Sequence, residues 1–107
     1  MTRRTVAPMP EDEMQENIRQ LCAWLKLPYY HPWNSLHSPE GFPDCVIVRG
    51  EHLLFRECKS ARGVVSPAQQ DWLGALARVR VVSAGVWRPA HWQDGRIEAE
   101  LNGKQVR

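Results

Sequence analysis

The chain has 107 residues and no apolar run near the roughly 20 residues that a membrane-spanning helix needs, so a membrane protein is not expected. Its opening "MTRRTVAPMP" holds arginines but no apolar segment of signal-peptide type, which predicts an intracellular, cytoplasmic protein of a bacterium or a phage-infected host cell. Cysteine is scarce. Cys22, Cys45 and Cys58 are an odd number, lack Cys-x-x-Cys spacing and sit among apolar neighbours, so they read as buried free thiols in a reducing compartment. A zinc site combining them with His31 or His37 would lack the close ligand pairs that such sites use. A large charge excess is missing too: at +2 the balance alone does not argue for nucleic acid. Internal repeats, low-complexity tracts and an interior linker are all absent, which leaves one domain. Its expected bounds are 11–102, between a flexible tail at 1–10 and a short one at 103–107.

What is present is a run of short elements. Met14, Ile18, Leu21 and Leu25 recur at helical spacing, which predicts a helix over 11–26 with Pro10 near its first turn. "PYYHPW" is a short strand candidate, followed by the turn-forming "NSLHSPEG". "SPAQQDWLGALARV" has a strong helix start, with Ser66 as N-cap, Pro67 at the first helical position and Gln69 at the capping-box position. "VVSAGVW" reads as an apolar strand buried on both faces, and "HWQDGRIEAEL" as one last helix despite Gly95. Trp72, Trp87 and Trp92 read as core residues. The order is α-β-β-β-α-β-α, an α/β mixed central sheet flanked by helices, its last strand reached by a helical crossover.

The most informative stretch is "GFPDCVIVRGEHLLFRECK", residues 41–59, a hairpin by its apolar pattern. With Gly50-Glu51 as a type II′ turn, Arg49 faces His52, and extending the register brings Asp44 opposite Glu57. Lys59 shares their face by strand alternation. Two carboxylates about 5 Å apart repel by about 3 kcal/mol at an effective dielectric near 20, and nothing in hairpin folding calls for that. An ion cluster neutralised by Lys59 is the ordinary explanation for such a trio. Here, however, the three groups leave a residual negative charge, suited to a hard divalent cation with oxygen ligands, and the Cys58 carbonyl could add a third oxygen.

"PD", twelve residues and then "ECK" resembles the metal-site signature of the PD-(D/E)xK nuclease superfamily. Together with His31, Ser35, Ser38, "GFPD", "ECKSARGVVSPAQQDWL" and "VWRPAHW", the ensemble resembles the VRR-NUC family, particularly its small stand-alone phage and bacterial members, from about Glu11 to Leu101. The resemblance implies a restriction-endonuclease-like fold and Mg²⁺- or Mn²⁺-dependent hydrolysis of DNA phosphodiester bonds, leaving a 5′-phosphate and a 3′-hydroxyl. By the family pattern Asp44 and Glu57 would hold the metal, and Lys59 would orient or help deprotonate the attacking water. A departure is that related sequences place a glycine between the second helix and the last strand, where this chain has Arg78-Val79-Arg80 and a later Gly85.

Other positions carry two readings each. Glu11 continues the apolar stripe of the first helix and matches the acid that completes similar sites, a further candidate ligand, yet it also suits the positive end of the helix dipole. Gln69 matches the family's helix glutamine, yet capping its own helix is sufficient reason for it. His31, Ser35, His37 and Ser38 are either turn residues or, for the family-matched positions, contacts to phosphate or to a metal-bound water. Arg62 and the helix start at Ser66 are candidate DNA contacts.

The function implied is a DNA endonuclease selective for branched structures, in the manner of a Holliday-junction resolvase, acting as a homodimer because so short a chain covers little DNA. The alternative is a catalytically silent nuclease-fold accessory module that binds DNA. A small-molecule metalloenzyme would need a cofactor motif that the sequence does not show.

Overall fold

Helix α1, Glu11–Trp24, opens the computed structural model, which describes residues 9–32 and 39–103. Pro10 is its N-cap in extended geometry, and three acids occupy its first turn, where the helix dipole favours them. Met14, Ile18 and Cys22, one turn apart, form its buried stripe. The helix stops two residues before the sequence-based end. Lys26 adopts a left-handed φ of 59°, Lys26 N–H bonds Ala23 O, and Leu27 N–H reaches back to Cys22 O, a Schellman closure without the usual glycine.

Among the described residues the strands are β1 (Tyr29–Tyr30), β2 (Cys45–Arg49), β3 (His52–Cys58) and β4 (Val82–Trp87). They lie side by side in chain order, with β1–β2 and β2–β3 antiparallel and β3–β4 parallel. Arg49 pairs with His52 and Cys45 with Arg56, the register expected from the turn. Gly50 has φ +59° while Glu51 does not cross to positive φ, which is type II′ rather than I′. Being flanked on both sides, β3 is buried from Leu54 through Cys58.

One face of the sheet carries Cys45, Ile47, Leu54 and Cys58 and packs on the α1 stripe and on Ile97 and Leu101. Arg56 shares this face, almost fully buried. It donates to Ser83 O and Ser83 Oγ, lies 5.0 Å over the Trp87 ring, and is 3.5 Å from Glu100, whose other oxygen accepts from Trp87 Nε1. A buried cation is tolerable only with such partners.

The crossover from β3 to β4 runs through α2, Pro67–Ala77, on the opposite face. One expectation needs correction here: β4 is an edge strand with Ser83 exposed rather than a strand buried on both faces, because among the described residues the sheet order ends at β4. The single final helix is also corrected: Gly95, at φ +85°, separates α3 (Pro89–Gln93) from α4 (Arg96–Leu101). Of the tryptophans, Trp87 is buried, Trp92 packs against the core, and Trp72 stands edge-on to Phe42. Among the described residues no helix is long and apolar enough to cross a membrane.

Candidate active site

Asp44 lies one residue before the β2–β3 ladder, which ends at Cys45 paired with Arg56, and its carboxylate acts on that of Glu57, the next residue of β3. Two tight features hold it there. Gly41, at φ +89°, lies so close to the first turn of α2 that an added Cβ would sit 2.5 Å from the Ala68 carbonyl carbon, and Pro43, just before Asp44, is fully buried. Asp44 Oδ2 then accepts a 2.9 Å hydrogen bond from Cys58 N–H, tying the loop to β3. His31 adds a further tie, its Nδ1 donating to the Asp44 carbonyl at 2.6 Å.

Glu57 is 3% exposed. Its Oε1 accepts from Gln69 Nε2 at 3.0 Å and is 3.7 Å from Lys59 Nζ. Its Oε2 is buried without a hydrogen-bond partner among the described residues. Burial, then the nearby Asp44 carboxylate and its charge, push the Glu57 carboxyl up to about 8, with Lys59 pulling the other way. Glu11 is drawn upward by the same causes on a smaller scale: burial first, then Asp44, opposed by Lys59. The first helix therefore does bring its opening acid within electrostatic range of the pair.

Gln69 fills both roles that its sequence position offered. Its Oε1 accepts from Ser66 N–H and its main-chain N–H donates to Ser66 Oγ, a complete capping box, while its Nε2 reaches Glu57. Ser66 thus spends its hydroxyl and its N–H on the cap. Arg62 is exposed on the turn that follows Lys59. Ser35, His37 and Ser38 lie outside the described residues.

The oxygen-rich donor set suits a hard cation. Asp44 and Glu57 converge, and an orphaned buried carboxylate oxygen is a costly group that a cation would satisfy. Among the described residues, no three His, Cys, Asp or Glu side chains form a ligand cluster, so Glu11 does not close a three-carboxylate set with the strand pair. The sequence reading missed the Cys58 N–H and His31 ties to Asp44, although the register already made the first a neighbour. It also missed Arg88, which donates to the carbonyls of Ser60 and Gly63 just beyond Lys59; no spacing rule connects it to the hairpin.

No protein-family model matches the sequence, and no curated protein matches it. A solved structure described as a "VRR_NUC domain protein" superposes with a TM-score of 0.62, covering 89% of this chain and 92% of that one at 22% sequence identity. The chain has the fold of that VRR_NUC domain protein. The likeness extends over nearly the whole of both chains, so the mixed sheet and its flanking helices correspond as a unit rather than through one shared motif.

Proposed function

We propose that the protein is a divalent-metal-dependent nuclease of the VRR-NUC type that hydrolyses DNA phosphodiester bonds. The carrying observation is the buried, unpartnered Oε2 of Glu57 beside Asp44, with Lys59 on the same carboxylate. A fold shared with a VRR_NUC domain protein supports the same reading by analogy.

Asp44 and Glu57 are the side chains that would hold Mg²⁺ or Mn²⁺, with the Cys58 carbonyl as a third oxygen and Glu11 acting from the rim. When bound, the cation supplies Lewis-acid stabilisation of charge on the phosphate and lowers the pKa of water. The chain's own residues do the rest. Cys58 N–H fixes one oxygen of Asp44, and Gln69 fixes Oε1 of Glu57, so the remaining oxygens are oriented before any ligand arrives. Lys59, with its side chain 18% exposed, has its ammonium at the carboxylate edge where it can orient the attacking water and meet phosphate charge. Branched DNA as the preferred substrate and a two-fold dimer belong to this proposal by analogy with the resolvase-like members of the fold.

The test uses labelled four-way, flap, duplex and single-stranded DNA with Mg²⁺, Mn²⁺ or EDTA, and Lys59→Ala as control. Cleavage that needs the metal and Lys59 is expected. Cleavage surviving EDTA would sink the mechanism, and tight binding without cleavage would make the protein an accessory module.

A further inference from the structure

Lys59 is the one member of the site that lies beyond the end of a strand, and its surroundings come from two distant parts of the chain. Its N–H donates to Trp87 O at 2.9 Å, the last rung joining β3 to β4. Past that rung the chain turns, with Gly63 N–H closing onto Ser60 O at 3.2 Å. Arg88, the residue after β4, spans this turn: its Nη1 donates to Ser60 O and to Gly63 O, each at 2.8 Å. Arg88 is itself anchored, because its main-chain N–H donates to His91 Nδ1 and Pro89 begins α3 immediately after it.

The turn in turn touches Lys59. A Cβ placed on Gly63 would lie 3.4 Å from Lys59 Cδ and 3.0 Å from Ser60 Oγ, so the Gly63 backbone lies against the aliphatic stem of the lysine. A side chain with four rotatable bonds holds one position only when its stem is confined, and confinement here depends on the turn keeping its shape. The turn's two carbonyls have a charge-assisted partner in Arg88, the stronger class of hydrogen bond.

We propose that Arg88 is a positioning residue for Lys59: by clamping the Ser60 and Gly63 carbonyls it holds the turn against the lysine stem and keeps the ammonium at Glu57. The catalytic consequence rests on the nuclease reading above, whereas the positioning does not.

The chain has three lysines, Lys26, Lys59 and Lys104, so ¹³C-lysine labelling gives few signals, and Lys59→Ala assigns its own by loss. In the wild type the Lys59 Cε signal is expected to relax as a restricted side chain and that of Lys26 as a mobile one. Arg88→Met, which keeps stem length and removes the donors, should make Lys59 as mobile as Lys26; Arg88→Lys should restore part of the restriction. Gly63→Ala, which crowds the stem from the turn side, should shift the Lys59 signal with Arg88 in place and serves if Arg88→Met fails to fold. A folded Arg88→Met protein with unchanged Lys59 relaxation would overturn the proposal, as would a Lys59 signal indifferent to Gly63→Ala. In the cleavage assay Arg88→Met should lower kcat roughly 10–100-fold with KM unchanged, and should cost nothing further in the Lys59→Ala background. Additive losses would also overturn it. A wild type that cleaves no substrate refutes the nuclease reading and leaves the relaxation result to decide the positioning.

Discussion

Gln69 joins two structures through one side chain: its Oε1 accepts from Ser66 N–H at 2.8 Å, and its Nε2 donates to Glu57 Oε1 at 3.0 Å. The start of α2 and the carboxylate of β3 are thereby fixed to each other, so a change at this position is felt in both.

Gln69→Glu separates the two effects. The new carboxylate can still accept from Ser66, so the cap persists, but above pH 8, where Glu57 is ionised, it sets an acceptor against an acceptor. A loss of about 1–3 kcal/mol is expected there in the absence of metal, read from urea denaturation at about pH 9. Gln69→Ala should lose the cap contribution as well. Equal stability of wild type and Gln69→Glu would show that the amide is not oriented toward Glu57.

The state of Glu57 predicts a pH dependence. Its folded value of about 8 stands above its ordinary 4.5 because of burial and Asp44, so its contribution to stability is fully present below about 4.5 and is lost as pH rises through 8. The metal-free protein should therefore weaken between pH 5 and 8 by up to about 1.4 kcal/mol per pH unit from this group alone. Glu57→Gln should flatten that slope. Mg²⁺, which binds the ionised form, should stabilise the protein more at pH 8 than at pH 5. Denaturation curves at pH 5, 6.5 and 8 for both proteins check this, and parallel slopes would refute it.

Two glycines should respond oppositely to alanine. Gly41→Ala places a methyl 2.5 Å from main-chain atoms of Ala68 at a left-handed φ, so a loss above about 2 kcal/mol is expected, together with displacement of Asp44. Gly74 lies inside α2 with nothing within 4 Å of its missing Cβ. Gly74→Ala should stabilise by about 0.5–1 kcal/mol. Thermal melts of the two variants distinguish them.

Cys22, Cys45 and Cys58 are each buried, with Cys45 and Cys58 sulfurs 3.7 Å apart and unbonded. Burial raises the Cys22 thiol to about 11, and the hydrogen bond to Cys45 together with burial raises Cys58. An aromatic disulfide reagent should find no reactive thiol in the native protein and three after denaturation.

The hairpin was legible because one residue decides it. Gly50 accepts the positive φ that a type II′ turn needs, and once the turn is fixed, alternation dictates every partner as far as Cys45 and Arg56. The helix at Ser66 was legible for a similar reason, a local code of Ser, Pro and Gln. The end of α1 was not, since Lys26 takes the left-handed role with a side chain that gives no warning of it. The exposure of β4 could not be read either, because an apolar strand looks alike at the centre and at the edge of a sheet, and sheet order is a non-local property. Within the site, Asp44, Glu57, Lys59 and Gln69 fall in one stretch whose geometry is mostly local. Arg88 was invisible because the parallel pairing of β3 and β4 delivers it from 25 residues beyond Gly63.

That division has a kinetic meaning. The carboxylate pair is made by a hairpin, and its glutamine by the very next helix, so these contacts close short loops and can form early. The parallel rungs between β3 and β4 must wait for a longer loop to close, and the Arg88 clamp comes with them. The acids are thus gathered before the lysine is confined. In folding experiments, hairpin substitutions such as Ile47→Val should slow folding, whereas Arg88→Met should chiefly hasten unfolding.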